Sequence, residues 1–317
     1  MNLGKSLKGF KGEIKFKEPL SLHTTFRIGG AINLWAEPGD IPSLRMLLKF
    51  AREEDLAVLV VGGGSNLLCK DKFLNALAIN LCSPFFSKIR INSKGIIAGA
   101  GAKTPHLIKE ALKAGRGGLE FLAGIPATLG GAIWMNAAAG PGGSTADIVE
   151  SVQIMNAAGR IRNIRRADLE FKYRGLNLSR CIILKAQLKL TRQPRGNIKE
   201  LLTTNLKRRK RSQELNASSA GCVFKNPSQE VGKGITAGYL IQKAKLKGTS
   251  CGRAYVSKRH ANFIINKGDA KAKDVIALMN KVKTKVKDKF AIRLEPEINI
   301  IGNTRRAASD INGLRFL

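Results

Sequence analysis

Two glycine-rich turns constrain this chain more than any other feature. The first, Gly62-Gly63-Gly64-Ser65-Asn66, follows the apolar run 57–61, which reads as a buried strand. Three successive glycines let a backbone approach a ligand with no Cβ in the way, and consecutive N–H groups form an anion-binding concavity. The second cluster spans Gly115, Gly117, Gly118, Gly124-Ile125-Pro126, Gly130-Gly131-Ala132 and then Asn136. Two such turns a subdomain apart suit a long ligand with a central diphosphate; two unrelated turns are an equal reading of the residues alone. Leu67 stands where a GxGxxG fingerprint needs its third glycine, and no GxxxxGK[ST] occurs. A Rossmann dinucleotide site and a P-loop are therefore not expected.

Strand and helix signals alternate along the chain. Asp40 caps a predicted helix with Pro42 in its first turn and Leu44, Leu47, Leu48 and Ala51 on one face. Thr104-Pro105 opens a second helix that Gly115 closes. A third starts near Asp269 and buries Val275, Leu278, Met279, Val282 and Val286. Short strands are expected at 151–155, 182–190 and 262–265. Pro194-Arg195-Gly196-Asn197 has the composition of a linker. This divides the chain into an N-terminal segment 1–22, a two-part region 23–193 with a break near 82, a smaller domain 194–302, and a basic, poorly ordered tail 303–317. No internal repeat is present.

The formal net charge is +32. Such an excess raises nucleic-acid binding as a reading. The lysines are spread rather than blocked, and 13 Phe, 3 Tyr and 2 Trp offer no stacking platform. The densest run, Lys207–Arg211, has the composition of a phosphate-binding patch, but it ends a stretch in which Ile198, Leu201, Leu202 and Leu206 share a helix face, so a solvated C-terminal turn is the preferred reading. Five scattered cysteines without a CxxC pair argue against a disulfide framework or a structural metal, and fit a reducing compartment. No apolar stretch approaches the roughly 20 residues of a membrane span, and no signal-peptide pattern opens the chain. A cytoplasmic protein without membrane insertion is expected.

Several motifs, taken together in their order, are more specific. Thr24-Thr25-Phe26-Arg27-Ile28-Gly29-Gly30, the Gly62–Asn66 turn with Leu67-Leu68, and Gly118-Leu119-Glu120-Phe121-Leu122-Ala123-Gly124-Ile125-Pro126 come first. Tyr173-Arg174, Ser219-Ala220-Gly221-Cys222-Val223-Phe224-Lys225-Asn226-Pro227, Leu246-Lys247-Gly248, His260-Ala261-Asn262-Phe263 and Leu294-Glu295-Pro296-Glu297 follow. From about residue 20 to 302 this series resembles the UDP-N-acetylenolpyruvoylglucosamine reductases, in their compact branch. The resemblance implies an α+β fold: a two-part FAD-binding region of the vanillyl-alcohol-oxidase (PCMH) type, followed by a smaller α/β substrate-binding domain. It implies non-covalent FAD, NADPH as co-substrate, and reduction of UDP-N-acetylenolpyruvoylglucosamine to UDP-N-acetylmuramate for peptidoglycan precursor synthesis. It further implies a monomer with no specific nucleic-acid partner.

The resemblance maps the catalytic trio onto Arg174, Cys222 and Glu297. A guanidinium holds the enolpyruvyl carboxylate with forked hydrogen bonds, and a neighbouring acid stabilises the enolic form. A positioned donor then delivers a proton to carbon. The family usually has Ser there; this chain has Cys222, whose thiol is the stronger acid and is expected to be open to oxidants and alkylating agents. The cofactor-binding set implied is Gly62, Gly63, Gly64, Ser65, Asn66, Ile125, Pro126, Gly130, Gly131, Ala132 and Asn136. Tyr173, Lys225, Asn226, Lys247 and His260 are the implied substrate contacts, and no metal is implied. His23 reads as a turn or packing residue. Two departures touch the flavin side: Ala127 replaces the usual Gly and needs a compatible φ, and Ala139-Gly140-Pro141-Gly142 replaces an aromatic-containing turn. The competing readings are another FAD oxidoreductase of the same cofactor fold, and a basic nucleic-acid-binding protein with degenerate flavin motifs.

Overall fold

The first sheet begins as an antiparallel pair, β1 (Gly12–Pro19) and β2 (Ala31–Pro38), in which Gly12 faces Pro38 and Pro19 faces Ala31. The computed structural model describes residues 7–138, 142–178, 180–227, 234–302 and 314–316. After β2 comes α1 (Ile41–Glu53), as the sequence predicts. Asp40 Oδ1 accepts from Ser43 N at 2.8 Å, and Leu44, Leu47, Leu48 and Ala51 are buried. Then follow β3 (Ala57–Val60), β4 (Leu67–Cys69), β5 (Leu74–Ile79) and the short α2 (Pro84–Ser87).

The next stretch comprises β6 (Ile89–Asn92), β7 (Gly95–Gly99), α3 (Thr104–Lys113), β8 (Arg116–Gly117), α4 (Leu129–Trp134) and α5 (Thr145–Ile148). It continues with β9 (Val149–Asn156), β10 (Ile161–Arg165), β11 (Phe171–Lys172), β12 (Gly175–Leu176), β13 (Cys181–Lys189) and β14 (Thr191–Arg192). Gly115, with φ +60°, ends the helix at α3 as expected. The last stretch holds α6 (Arg195–Ser212), α7 (Ala237–Lys243), β15 (Ser250–Cys251), β16 (Ala254–Val256) and β17 (Ile264–Asn266). It closes with α8 (Ala272–Phe290), β18 (Asn299–Ile301) and β19 (Leu314–Phe316).

The first sheet has the order β1-β2-β5-β3-β19, parallel from β2 onward; the second, β10-β9-β13-β7-β6, is antiparallel throughout. One apolar core joins both sheets, from Leu34 and Leu77 to Ile154 and Leu188. A second lies beneath α8, whose Val275, Leu278, Met279, Val282 and Val286 are buried as the periodicity predicts. Phe26, Ile28 and Leu68, from the N-terminal part of the chain, are buried in this second core. This is an α+β architecture of two sheets with a smaller third part, and the chain passes from the first sheet to the second between β5 and β6.

Four sequence expectations need correction. Pro194–Asn197 is not a loop linker but the entry and first turn of α6; proline suits a helix start because it has no N–H to leave unpaired. Of the supposed buried face of α6, only Ile198 is buried, while Leu201 is 49% exposed. Helix α8 starts at Ala272, not near Asp269, which has φ +57°. Its first turn is capped by Asp274, whose carboxylate accepts from Lys271 N, and by Asp71 of the first part, which accepts from Ala272 N. The strand placed at 262–265 starts at Ile264, because the Asn262 side chain bonds the backbone of Phe224. Of the tail, Leu314–Phe316 are described: they form β19, paired with β3 in the first sheet.

Candidate active site

The chain segment around Thr25 ties the parts together. Thr25 N donates to Gly64 O at 3.2 Å, Thr25 Oγ1 donates to Ser219 O at 2.7 Å, and Asn266 Nδ2 donates to Phe26 O at 3.0 Å. From the other end, β18 runs parallel to β4, and Asn299 N donates to Asn66 O. The glycine turn and the residues just before β18 are thereby fixed against each other. His23 packs as expected: its ring stacks on Trp35 at 3.5 Å, and Nε2 is 2.9 Å from Glu18 Oε1.

The two glycine clusters meet backbone to backbone. A Cβ on Gly63 would lie 2.6 Å from Pro126 O, and one on Gly62 would lie 2.5 Å from Thr128 Oγ1. Gly64 has φ +62°, and a Cβ there would collide with His23 O. Between the clusters and the third part lies a cavity of about 550 Å³. Gly62, Gly63, Gly64, Ser65, Asn66, Ile125, Gly131 and Ala132 line it, with apolar Ala127, Met135 and Ala137 beside them. Gly130 lines an adjoining annex of about 50 Å³ with Gly62, Thr128 and Gly131. Slots where a Cβ does not fit and apolar walls match the needs of a dinucleotide bearing a flat ring.

Arg174, Cys222 and Glu297 reach this cavity from three places. Arg174 occupies the tight turn between β11 and β12 with φ +57°, and its Nη1 donates to Ala138 O at 3.1 Å. Its Nε is 2.9 Å from Glu297 Oε1, an ion pair set off the hydrogen-bond line. Cys222 pairs in bridge fashion with Phe263, and two residues on, the Asn262 side chain holds the chain by bonding both Phe224 N and Phe224 O. Glu297 N donates to Val223 O at 2.8 Å, which sets the carboxylate beside the thiol. Burial raises Glu297 above the usual carboxylate range, against the pull of Arg174. Burial, then the Glu297 charge, pushes the Cys222 thiol up to about 12, although the side chain faces the cavity and is partly exposed. The thiol is therefore protonated at neutral pH and far less reactive than its sequence position suggests.

The remaining expected residues stand outside the cavity wall. Pro126 backs the Gly63 contact. Asn136, at φ +43°, spends its Oδ1 on Ala146 N and Thr145 Oγ1, and its Nδ2 on Lys172 O. Tyr173 is exposed and accepts at Oη from Asn226 N at 3.3 Å; Lys225 pairs with Glu295 at 3.4 Å. Lys247 is exposed, and burial, then the Lys247 charge, depresses His260. Ala127 is outside the positive-φ residues, so the Gly-to-Ala departure carries no backbone strain. Of the second departure, Ala139, Gly140 and Pro141 lie outside the described residues.

At the C-terminal end of α6 the sequence favours a solvated turn over a phosphate-binding patch, and the structure reverses that preference. Arg208, Arg209, Ser212 and Gln213 line the cavity, so the turn read as solvated faces the site. Asn299 and Met135 also line it, joined by a weak Nδ2–Sδ contact at 3.7 Å.

Comparison with known proteins shows the family and the fold. Residues 213–301 match the family model described as UDP-N-acetylenolpyruvoylglucosamine reductase, C-terminal domain, and residues 32–165 match an FAD binding domain. The chain is 40% identical over 299 residues to the UDP-N-acetylenolpyruvoylglucosamine reductase of Heliobacterium modesticaldum, covering 94% of this chain and 93% of that protein. It is 39% identical over 300 residues to that of Moorella thermoacetica, covering 94% and 97%. Among solved structures, UDP-N-acetylenolpyruvylglucosamine reductase from Thermus caldophilus superposes with a TM-score of 0.77 at 33% identity, over 92% of this chain and all of that one.

Proposed function

The chain belongs to the UDP-N-acetylenolpyruvoylglucosamine reductase family, and we propose that Arg174, Cys222 and Glu297 carry its reaction at the cavity between the glycine turns and the third part. The protein is an FAD-dependent oxidoreductase that uses NADPH to reduce UDP-N-acetylenolpyruvoylglucosamine in peptidoglycan precursor synthesis. The observation that carries the site assignment is the convergence of these three side chains, distant in sequence, on the cavity that the glycine turns line.

Gly62–Asn66, Ile125, Gly131 and Ala132 would hold FAD, with Pro126, Gly130 and Asn136 supporting the turns that present them. When bound, FAD supplies the hydride that adds to the enolpyruvyl double bond. The electron pair of that bond moves toward the carboxylate, and negative charge builds there. Arg174 holds this carboxylate in a guanidinium fork. Glu297, its affinity for protons raised by burial, stabilises the enolic oxygen with a hydrogen bond. Cys222 Sγ gives its proton to the carbon next to the carboxylate, and the thiolate regains a proton from solvent. A donor so weakly acidic does not lose its proton before the intermediate forms, and a positioned general acid contributes about 10²- to 10⁴-fold.

Tyr173, Lys225, Asn226, Lys247 and His260 would serve the UDP-sugar beyond the reacting carbons, with the Asn226–Tyr173 hydrogen bond joining two of them into a rim. Division of the chain at residue 194 places α6 with the substrate-binding part. A cytoplasmic monomer without a specific nucleic-acid partner fits the diffuse positive charge. No helix among the described residues is long and apolar enough to cross a membrane.

The assignment is tested by reducing the purified yellow protein anaerobically with NADPH and adding UDP-N-acetylenolpyruvoylglucosamine. Flavin absorbance at about 450 nm should return, with UDP-N-acetylmuramate detected by mass. Protein that reoxidises with oxygen but not with this sugar contradicts the substrate assignment.

A further inference from the structure

The three arginines on the cavity wall outnumber the single carboxylate, Glu297, that lines it among the described residues. Arg174 is paired with that carboxylate. Arg209 is different: its Nε and Nη1 are buried and have no hydrogen-bond partner among the described residues. Burial depresses its guanidinium, and the neighbouring Arg208 and Arg174 charges push the same way. An uncompensated, desolvated cation facing a cavity is costly unless an anion arrives.

Its position is held from both sides. The side-chain stem lies across Gly124, where a Cβ would be 3.4 Å from Arg209 Cδ, and Asn205 Nδ2 donates to Glu120 O at 3.0 Å. These contacts dock α6 on the second glycine cluster. On the other side, Arg259 Nη1 donates to Lys210 O at 3.1 Å, and Glu214 accepts from Ser257 Oγ and from Tyr255 Oη. The end of α6 is thereby bound to the part of the chain that carries Cys222 and Glu297.

We propose that Arg209 is a substrate-binding residue that takes an anionic oxygen of the UDP-sugar, either its enolpyruvyl carboxylate or its diphosphate. The inference rests on the substrate assigned above. The substrate is favoured over the cofactor because the end of α6 that carries Arg209 is hydrogen-bonded to the part of the chain that carries Cys222 and Glu297, and Arg209 and Cys222 line the same cavity. A fork aimed there adds the second cation that a carboxylate or diphosphate needs once Arg174 is shared with Glu297.

The test uses the full-length holoenzyme with Arg209→Gln and Arg209→Lys. Lys199→Gln, an exposed charge in the first turns of the same helix, is the control for bulk electrostatics. Affinity is read from the perturbation of flavin absorbance by UDP-N-acetylenolpyruvoylglucosamine and, separately, by UDP-N-acetylglucosamine, which lacks the carboxylate. Arg209→Gln should weaken the enolpyruvyl sugar about 10- to 100-fold, with partial rescue by Arg209→Lys and no more than about twofold change in Lys199→Gln. Flavin content, melting temperature and NADPH-driven reduction should stay near wild type. A loss confined to the enolpyruvyl sugar assigns the carboxylate, and an equal loss for both sugars assigns the diphosphate. Unchanged sugar affinity in Arg209→Gln overturns the inference, as does loss of flavin or slowed NADPH reduction. Wild-type protein that binds neither sugar would overturn the functional reading as well, which a failure of Arg209→Gln alone would not.

Discussion

Cys222 is where this chain differs chemically from the usual family pattern, and its environment changes what a cysteine there means. The side chain is reachable from the cavity, yet burial holds its thiol up to about 12. At pH 8 very few molecules carry the thiolate that an alkylating agent needs. Inactivation by iodoacetamide should therefore be slow at pH 8 and rise about tenfold per pH unit between 8 and 10. Cys222→Ser, measured in parallel, should lose activity at neither pH. Rapid inactivation already at pH 7, unchanged at pH 9, contradicts this account. At this scale the sequence was informative where motifs in fixed order singled out Arg174, Cys222 and Glu297, three residues that the structure brings together at one cavity. It offered Arg209 only within a run of five basic residues, Lys207–Arg211, whose phosphate-binding reading lost to that of a charged helix end, because the packing of the Arg209 stem over Gly124 leaves no local pattern. It also overstated the reactivity of Cys222, since desolvation depends on packing that no local pattern reports.

Two helices carry the same kind of N-cap and differ in what stands next to them. Asp40 accepts from Ser43 N at the start of α1, and Thr128 accepts from Gly131 N at 3.3 Å at the start of α4. Asp40→Ala and Thr128→Ala should each cost about 1 kcal/mol, a fall of about 2–4 °C in a domain of this size. Only Thr128→Ala should also weaken FAD binding, because Thr128 Oγ1 packs where a Cβ on Gly62 would stand and lines the annex. Thermal melts with and without added FAD check both statements; equal flavin affinity in the two variants contradicts the second. Helices α1, α3 and α8 were legible from apolar spacing, helped by the Asp40 cap at α1 and by Gly115 at the end of α3. The entry of α6 was not, since Pro194-Arg195-Gly196-Asn197 has the composition of a turn, and the contacts that make it helical come from elsewhere in the chain. The start of α8 slipped by three residues for a similar reason: one of its caps, Asp71, is supplied from the first part.

As a whole the molecule is two flavin-side sheets and a third part stitched together by the Thr25 segment and by β18 on β4. The two glycine clusters and the mixed strand–helix order made the first two parts legible. The stitching was not, because it depends on pairings between residues about 200 positions apart, such as Thr25 with Ser219 and Phe26 with Asn266. The site is built across that seam: the glycine turns on one side, Cys222 and Glu297 on the other, with Arg174 reaching between them. This arrangement divides the catalytic cycle. On the proposed assignment, the glycine turns would serve the half-reaction with NADPH and the trio the half-reaction with the enolpyruvyl sugar. Stopped-flow absorbance of Cys222→Ala, with each half-reaction followed separately, tests this most directly. The account predicts flavin reduction by NADPH near the wild-type rate and reoxidation by the enolpyruvyl sugar slowed about 10²- to 10⁴-fold, with Cys222→Ser recovering much of the loss. Slow reduction by NADPH with normal reoxidation, or fast reoxidation in both variants, would contradict it.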